Sequence, residues 1–95
     1  MYKIFFRKEI FSEDFKGLSH HEFEKILKPI KKKLSTEPLL FGKALQRELK
    51  GYFRLRVDFY RVIYKIDKNK ILVSIIKIGK RKDNEVYEEA IRRLH

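Results

Sequence analysis

Residues 51–66 read GYFRLRVDFYRVIYKI, and this stretch decides the fold. Every second residue from Phe53 to Val57 is apolar, which predicts a strand with one buried face and one polar face. The polar face then carries an aromatic ring and two guanidinium groups, those of Tyr52, Arg54 and Arg56. Residues 60–66 are rich in β-branched and aromatic side chains and predict a second strand. Because only two residues separate the strands, we expect an antiparallel hairpin.

A third strand and a last helix follow the hairpin. Residues 71–78 are nearly all apolar and predict a central strand that is covered on both faces and ends at Gly79. The preceding sequence DKNK supplies turn residues, and Asn69 tolerates the left-handed conformation that such a turn often needs. Acidic residues at the start and arginines at the end predict a last helix, whose apolar face includes Val86 and Ala90.

The N-terminal segment predicts a strand and a short helix. Residues 2–6 read YKIFF and alternate as a strand does. Ser12 precedes two acidic residues, which is typical of the N-cap of a short helix ending near Gly17. A helix that begins near Lys8 and contains Ser12 is the alternative.

A longer helix is predicted next. Ser19 with Glu22 three residues later forms a capping-box pattern, and apolar residues recur at helical spacing over residues 23–34. Pro29 lies inside this pattern and predicts a kink or a break, because it removes a backbone donor and clashes with the preceding turn. Residues 44–50 are compatible with a loop or with a single helical turn.

Together these elements predict one α+β domain over residues 1–95. The predicted order is β-α-α-β-β-β-α, with a small, mainly antiparallel sheet packed by helices. The formal net charge of +11 indicates a polyanionic partner. The excess is concentrated in residues 50–82, which contain eleven Lys or Arg and two Asp.

Composition also argues against several classes of protein. The chain has no cysteine, so it forms no disulfides and is compatible with a reducing cytoplasm. No apolar run is long enough to span a membrane, and the N-terminus lacks the apolar region of a signal peptide. With histidine only at positions 20, 21 and 95, we expect no metal site. No Ser-His-Asp grouping or phosphate-binding glycine loop is evident.

The ordered motifs of the second half resemble those of the RelE/ParE toxin superfamily. They are G-Y-x-R-L-R-V-x-x-Y-R-V-I-Y from residue 51, I-x-x-I-G-K-R from residue 75, and E-V-Y from residue 85. The resemblance is closer to RelE-type messenger-RNA interferases, because Arg81 and Tyr87 flank the start of the last helix as they do there. It implies a cytoplasmic, ribosome-dependent endoribonuclease that needs no cofactor or metal. It also implies three partners: a cognate antitoxin, the ribosome with its RNA, and the messenger RNA cut in the decoding site.

The same resemblance implies which residues form the site. It implies catalytic roles for Arg61, Arg81, Tyr87 and Arg54, and RNA contacts from Tyr52, Arg56, Lys50, Lys80 and Lys82. Arg61 matches the arginine that grips a phosphate at the cleavage site, and Arg81 matches the one that stabilises the transition state. Tyr87 matches the tyrosine that stacks on or orients the substrate. Arginine and tyrosine suit RNA cleavage, in which the 2′-hydroxyl is the nucleophile and negative charge develops on the phosphate.

The general base is the point at which the chain departs from the RelE pattern. Tyr52 and Arg54 occupy positions where RelE has lysines, one of them the proposed base, and arginine keeps its proton. The remaining candidates are Lys50, Glu48, Glu85 and His95. Two other functions stay open: a ParE-type toxin that acts on DNA gyrase without nuclease activity, and a degenerate member of the family that only binds.

Overall fold

Five strands form one mixed sheet in the computed structural model, which describes residues 1–80 and 85–95. The strands are β1 (Lys3–Phe6), β2 (Lys43–Ala44), β3 (Tyr52–Val57), β4 (Tyr60–Asp67) and β5 (Leu72–Lys80). Their order across the sheet is β1-β5-β4-β3-β2. β1 runs parallel to β5, and every other neighbouring pair is antiparallel, which confirms the prediction for the last three strands.

Helices cover both faces of this sheet, so the predicted α+β class is confirmed. They are α1 (His20–Thr36), α2 (Pro38–Phe41) and α3 (Glu85–Leu94), with a π-helical turn at Ile10–Asp14 and a 3₁₀ turn at Arg47–Leu49. Compared with the predicted order, α2 and the two-residue strand β2 are additions. The 3₁₀ turn corresponds to the single-turn alternative for residues 44–50. Within the described ranges, none of the helices combines the length and the apolar character that a membrane crossing requires.

The two faces of the sheet have separate apolar cores. On one, here called the α1 face, the buried residues of α1 pack on strand residues that include Leu55, Val62, Tyr64 and Ile75. On the other, the α3 face, Val86 and Ala90 of α3 pack against Leu49, Ile63 and Ile76. The alternation predicted for β3 therefore places Leu55 under α1 and leaves Arg54 and Arg56 on the α3 face.

The helix α1 confirms Ser19 as its N-cap, with Glu22 as the partner, and it contains no break. Ser19 Oγ accepts a hydrogen bond from the Glu22 backbone N–H and donates to Glu22 Oε1, both at 3.2 Å. The helix continues through Pro29 to Thr36. Proline already has a helical φ and costs one hydrogen bond, and the fully buried Ile26 and Ile30 hold the turns on either side against the sheet.

Near the N-terminus, the structure agrees with the second alternative. Helical backbone begins at Lys8 and contains Ser12, so Ser12 is not an N-cap. The turn is wide because Phe15 N donates to the Ile10 carbonyl at 2.9 Å, five residues earlier. Burial of Ile10 and Phe15 under the α1 face anchors both ends of this turn.

Two details of the β4–β5 connection differ from the prediction. Ile71, not Asn69, is left-handed, with a φ of 51°. The Asp67 carboxylate accepts a hydrogen bond from Lys70 N at 3.1 Å, which closes the turn over residues 67–70. The left-handed backbone conformation therefore falls on the next residue, Ile71. Gly79 lies inside β5 instead of ending it. A Cβ there would lie 2.5 Å from Val86 Cγ2, so glycine is needed for α3 to pack closely.

Candidate active site

A tyrosine from α3 lies beside two arginines of the sheet. Arg54 Nη1 donates a hydrogen bond to Tyr87 Oη at 3.4 Å, and the Arg61 guanidinium lies 5.3 Å from the centre of the Tyr87 ring. All three side chains are half-buried. The second distance is that of a cation–π contact. One tyrosine thus joins the two arginines, which come from different strands.

Strand register and helix packing together produce this cluster. In the β3–β4 ladder Arg56 pairs with Arg61 and Arg54 pairs with Ile63, so all these side chains share the α3 face. Ile63 also contacts the apolar face of α3. The burial of that apolar face sets the helix in place, and Tyr87, one residue after the buried Val86, reaches the arginines.

The cluster has the electrostatics of an anion site. Arg56 and Arg61 are direct cross-strand partners, so two guanidinium groups lie side by side on this face and make its potential positive. The Arg54 Nε is buried and has no hydrogen-bond partner within residues 1–80 and 85–95. Phosphate oxygens accept hydrogen bonds from guanidinium groups in a planar, often bidentate geometry. The arrangement is therefore suited to a phosphate group.

The other predicted site residues are spread more widely. Tyr52 lies on the α3 face two residues before Arg54, with Lys65 Nζ 5.7 Å from the centre of its ring. Lys50 is exposed just after the 3₁₀ turn. Lys80 pairs with Tyr60, which places it on the α1 face, so the structure does not bring it together with Arg61. Arg81 and Lys82 lie outside the described residues.

Of the candidate bases, Glu48 shares a groove with Tyr87. The groove, of about 280 Å³, is lined by residues 45–49 of the 3₁₀ segment together with Tyr87 and Ile91 of α3. His95 lies eight residues beyond Tyr87 at the far end of α3, a rise of about 12 Å along the helix. Among the described residues, no three histidine or carboxylate side chains come together as a metal site requires.

Comparison with known proteins places the chain in a family. A family model described as the ParE toxin of type II toxin–antitoxin systems, parDE, matches residues 8–85, which is most of the chain. The chain belongs to this ParE toxin family. Toxin RelG of Mycobacterium tuberculosis is 46% identical over 50 residues, 53% of this chain and 58% of RelG. The mRNA interferase toxin RelE of Escherichia coli is 42% identical over 41 residues, 43% of each protein. The chain thus matches about half the length of these curated relatives.

A solved structure extends the similarity to nearly the whole fold. It is the toxin–antitoxin complex RelBE2 of Mycobacterium tuberculosis, with 33% identity and a TM-score of 0.77. The match covers 86% of this chain and 93% of the matched chain. The fold of this ParE-family toxin is therefore that of a RelE-type toxin, as the sequence motifs predicted.

The ParE-family chain also contains a charged cluster that sequence reasoning missed. The Asp14 side chain is fully buried and accepts four hydrogen bonds from residues of the described ranges. Lys77 Nζ donates at 2.8 Å, Ile78 N at 2.8 Å, and the Arg93 guanidinium in a bidentate pair at 2.9 and 2.6 Å. Lys77 Nζ also donates to Glu89 at 2.9 Å. The cluster joins the π-helical turn, β5 and the end of α3.

This buried network fixes the helix that carries Tyr87. Burial acts to lower the pKa of Arg93, but the hydrogen bonds and negative charge of Asp14, helped by Glu13 and Glu9, outweigh burial and raise it. Arg93 therefore stays charged where it is held. The sequence feature that indicates this buried charged cluster is Lys77, because it is the one charged residue in the apolar run of residues 71–78.

Proposed function

We propose that this chain is a RelE-type endoribonuclease that cuts messenger RNA in the decoding site of the ribosome. The observation that carries the proposal is the contact of Tyr87 with both Arg54 and Arg61 on one face of the sheet. Two cations and an aromatic ring in one place bind a phosphate and an adjacent base. The curated relative in Escherichia coli is named an mRNA interferase, which supports the same activity here.

The proposed reaction uses the nucleophile that RNA carries. The 2′-hydroxyl oxygen attacks the adjacent phosphorus and loses its proton to a base, while the bond from phosphorus to the 5′ oxygen breaks. The products are a 2′,3′-cyclic phosphate and a 5′-hydroxyl end. Arg61 neutralises the charge that develops on the phosphate, and Tyr87 stacks on a base. Arg81 stabilises the transition state by donating a hydrogen bond toward the leaving oxygen, which takes its proton from water.

For the base, Glu48 has the best structural support among the candidates. Glu48 and Tyr87 line the same groove. The Glu48 carboxylate can accept a proton, whereas the Arg54 guanidinium is always protonated and cannot act as a base. Lys50, Glu85 and His95 are the other candidates that the sequence offers. Orientation of the strand by fixed cations supplies much of the rate enhancement in such a site, so the base need not be strong.

A cognate antitoxin is part of the proposal. The structurally similar protein of Mycobacterium tuberculosis was solved as a toxin–antitoxin complex. We propose that this chain, with a net charge of +11, is likewise held by an acidic antitoxin in the cytoplasm until the antitoxin is removed.

Mapping of RNA ends tests the function directly. Purified toxin is added to a messenger RNA with and without programmed ribosomes, and the new 5′ ends are located by primer extension. We expect cuts only with ribosomes, and none with Arg81→Ala. The alternative function, a non-nuclease toxin acting on DNA gyrase, is favoured by the match to the ParE model. Absence of cuts together with inhibition of gyrase supercoiling would establish that alternative.

The ring of Tyr87 is expected to matter more than its hydroxyl. Tyr87→Phe loses only the weak hydrogen bond to Arg54, so its single-turnover rate on programmed ribosomes should fall by about tenfold or less. Tyr87→Ala also loses the ring beside Arg61 and the stacking surface, and the expected loss is roughly 10²-fold. Tyr60→Phe, the same change on the α1 face, is the matched control. Equal damage from Tyr87→Phe and Tyr87→Ala would show that the hydroxyl takes part in the chemistry.

A further inference from the structure

A row of four side chains crosses the open part of the α3 face. The strand registers pair Phe5 with Ser74, Ser74 with Lys65, and Lys65 with Tyr52. The row therefore runs over β1, β5, β4 and β3, with an aromatic ring at each end and a hydroxyl and an ammonium group between them. Three strand spacings separate Phe5 from Tyr52, which places their backbones about 14 Å apart.

The row forms the floor of an open groove that is rich in positive charge. The groove has a volume of about 280 Å³, and Arg7 and Lys70 add two cations to Lys65 along it. Phe5 is 53% exposed even though it is a phenylalanine within a strand. Among the described residues that line the groove, only Asp67 is acidic, and its carboxylate accepts a hydrogen bond from Lys70 N. The groove is thus cationic, with an exposed aromatic ring.

We infer that this row is a platform for single-stranded RNA. Aromatic rings on an open sheet stack splayed-out bases, and neighbouring cations hold the phosphates between them. Neighbouring bases of a duplex stack only a few ångströms apart (about 3.4 Å in B-DNA), whereas Phe5 and Tyr52 are three strands apart, so bases on these two rings cannot be stacked neighbours of one duplex. The geometry therefore selects an extended single strand.

The platform is continuous with the candidate active site. Tyr52 lies two residues before Arg54 on the same face of β3, so a strand on the row leads directly to Arg54 and Tyr87. The inference rests on the proposed function, because the RNA it holds is the part of the message that flanks the cut. An acidic protein segment is the other polyanion that such a groove attracts. The exposed ring favours RNA, since every base has a face that stacks.

The test measures RNA binding without ribosomes and without cleavage. The probe is a fluorescently labelled single-stranded RNA whose reactive 2′-hydroxyls are replaced by 2′-methoxy groups, compared with a duplex of the same sequence. Affinity is read by fluorescence anisotropy over a range of salt concentrations. We expect the single strand to bind more tightly than the duplex. Phe5→Ala should weaken its binding about tenfold. Lys65→Gln should lower the log–log salt slope by about 0.7.

Two matched controls separate the platform from general effects. Phe11→Ala removes a ring that is 51% exposed but packs with Phe6, Phe15 and Phe23 of the α1 core, and it should leave RNA affinity unchanged. Lys28→Gln removes an exposed cation of α1 and should leave the salt slope unchanged. Circular dichroism confirms that each variant is folded.

The outcomes distinguish this inference from the proposed function. If Phe5→Ala and Lys65→Gln bind the single strand as the parent does, the platform is wrong even when the parent cuts messenger RNA on ribosomes. If both weaken binding while the parent fails to cut, the platform stands and the nuclease assignment fails. Binding of an acidic peptide that Phe5→Ala weakens, with no binding of single-stranded RNA, would overturn the inference in favour of a protein partner.

Discussion

Arg61→Ala is expected to lower the single-turnover rate of messenger-RNA cleavage on programmed ribosomes by about 10²- to 10³-fold, the usual cost of losing one donor to a developing charge. The guanidinium is held against the Tyr87 ring, so it is in position before the substrate arrives. Charge that is already in place needs no reorganisation in the transition state. The loss should therefore fall on the chemical step more than on ribosome binding.

Two further variants define what Arg61 supplies. Arg56→Ala removes an exposed guanidinium from the position directly opposite and is the matched control, with an expected loss of less than about tenfold. Arg61→Lys keeps the charge but loses the planar fork, so its rate should lie between those of the parent and Arg61→Ala. An Arg61→Ala variant that cuts at the parental rate would remove Arg61 from the mechanism.

Asp14→Ala is expected to reduce the free energy of unfolding by about 3–5 kcal/mol, as removal of one partner from a buried charge pair does. The change leaves Lys77 and Arg93 buried without their main counterion, and it also takes the acceptor away from Ile78 N. Domains of this size are stable by about 5–15 kcal/mol in all, so the variant should lose a large share of its stability. Urea denaturation followed by circular dichroism gives the difference.

The neighbouring carboxylate provides the control for Asp14. Glu13 lies 3.7 Å from the same arginine, but its side chain is 63% exposed, so Glu13→Ala should change the free energy of unfolding by no more than about 0.5 kcal/mol. Equal effects of Asp14→Ala and Glu13→Ala would contradict the view that burial of Asp14 holds α3 to the sheet. If that view is correct, a partly folded Asp14→Ala variant should also cut more slowly, because Tyr87 is carried by α3.

Local patterns in the sequence determined the hairpin and the polar face that carries the candidate site. Successive side chains of a strand point to opposite faces of the sheet. The alternation from Phe53 to Val57 therefore places Leu55 on the buried face and Arg54 on the other face. Ser19 caps the helix by accepting a hydrogen bond from the backbone of Glu22, three residues later. Strand faces and helix caps depend on residues that are close together in the chain, so they can be predicted from one sequence.

Local patterns were ambiguous or misleading where packing competes with propensity. Pro29 is held in an unbroken helix by the buried residues on either side, and Ile71 is left-handed although it is β-branched. The sequence pattern predicts that Gly79 ends the strand, but Gly79 lies inside β5, where the close approach of Val86 leaves no room for a larger side chain. At Pro29 and Gly79, packing between elements outweighs the preference of the residue itself. At Ile71 the local turn closed by Asp67 and Lys70 sets the conformation.

Only the tertiary structure decided which charged groups meet. Asp14 and Arg93 are 79 residues apart, and Asp14 and Lys77 are 63 apart, so no spacing in the sequence marks them as partners. Tyr87 meets Arg54 and Arg61 because the apolar face of α3 is buried against Ile63 and Ile76. The hydrophobic effect that holds α3 on the sheet is non-directional and depends on the apolar area buried. The apolar pattern of α3 therefore does not reveal which strand residues it will contact. The sequence alone therefore determined the strands and their faces, while packing of α3 on the sheet selected the charged partners.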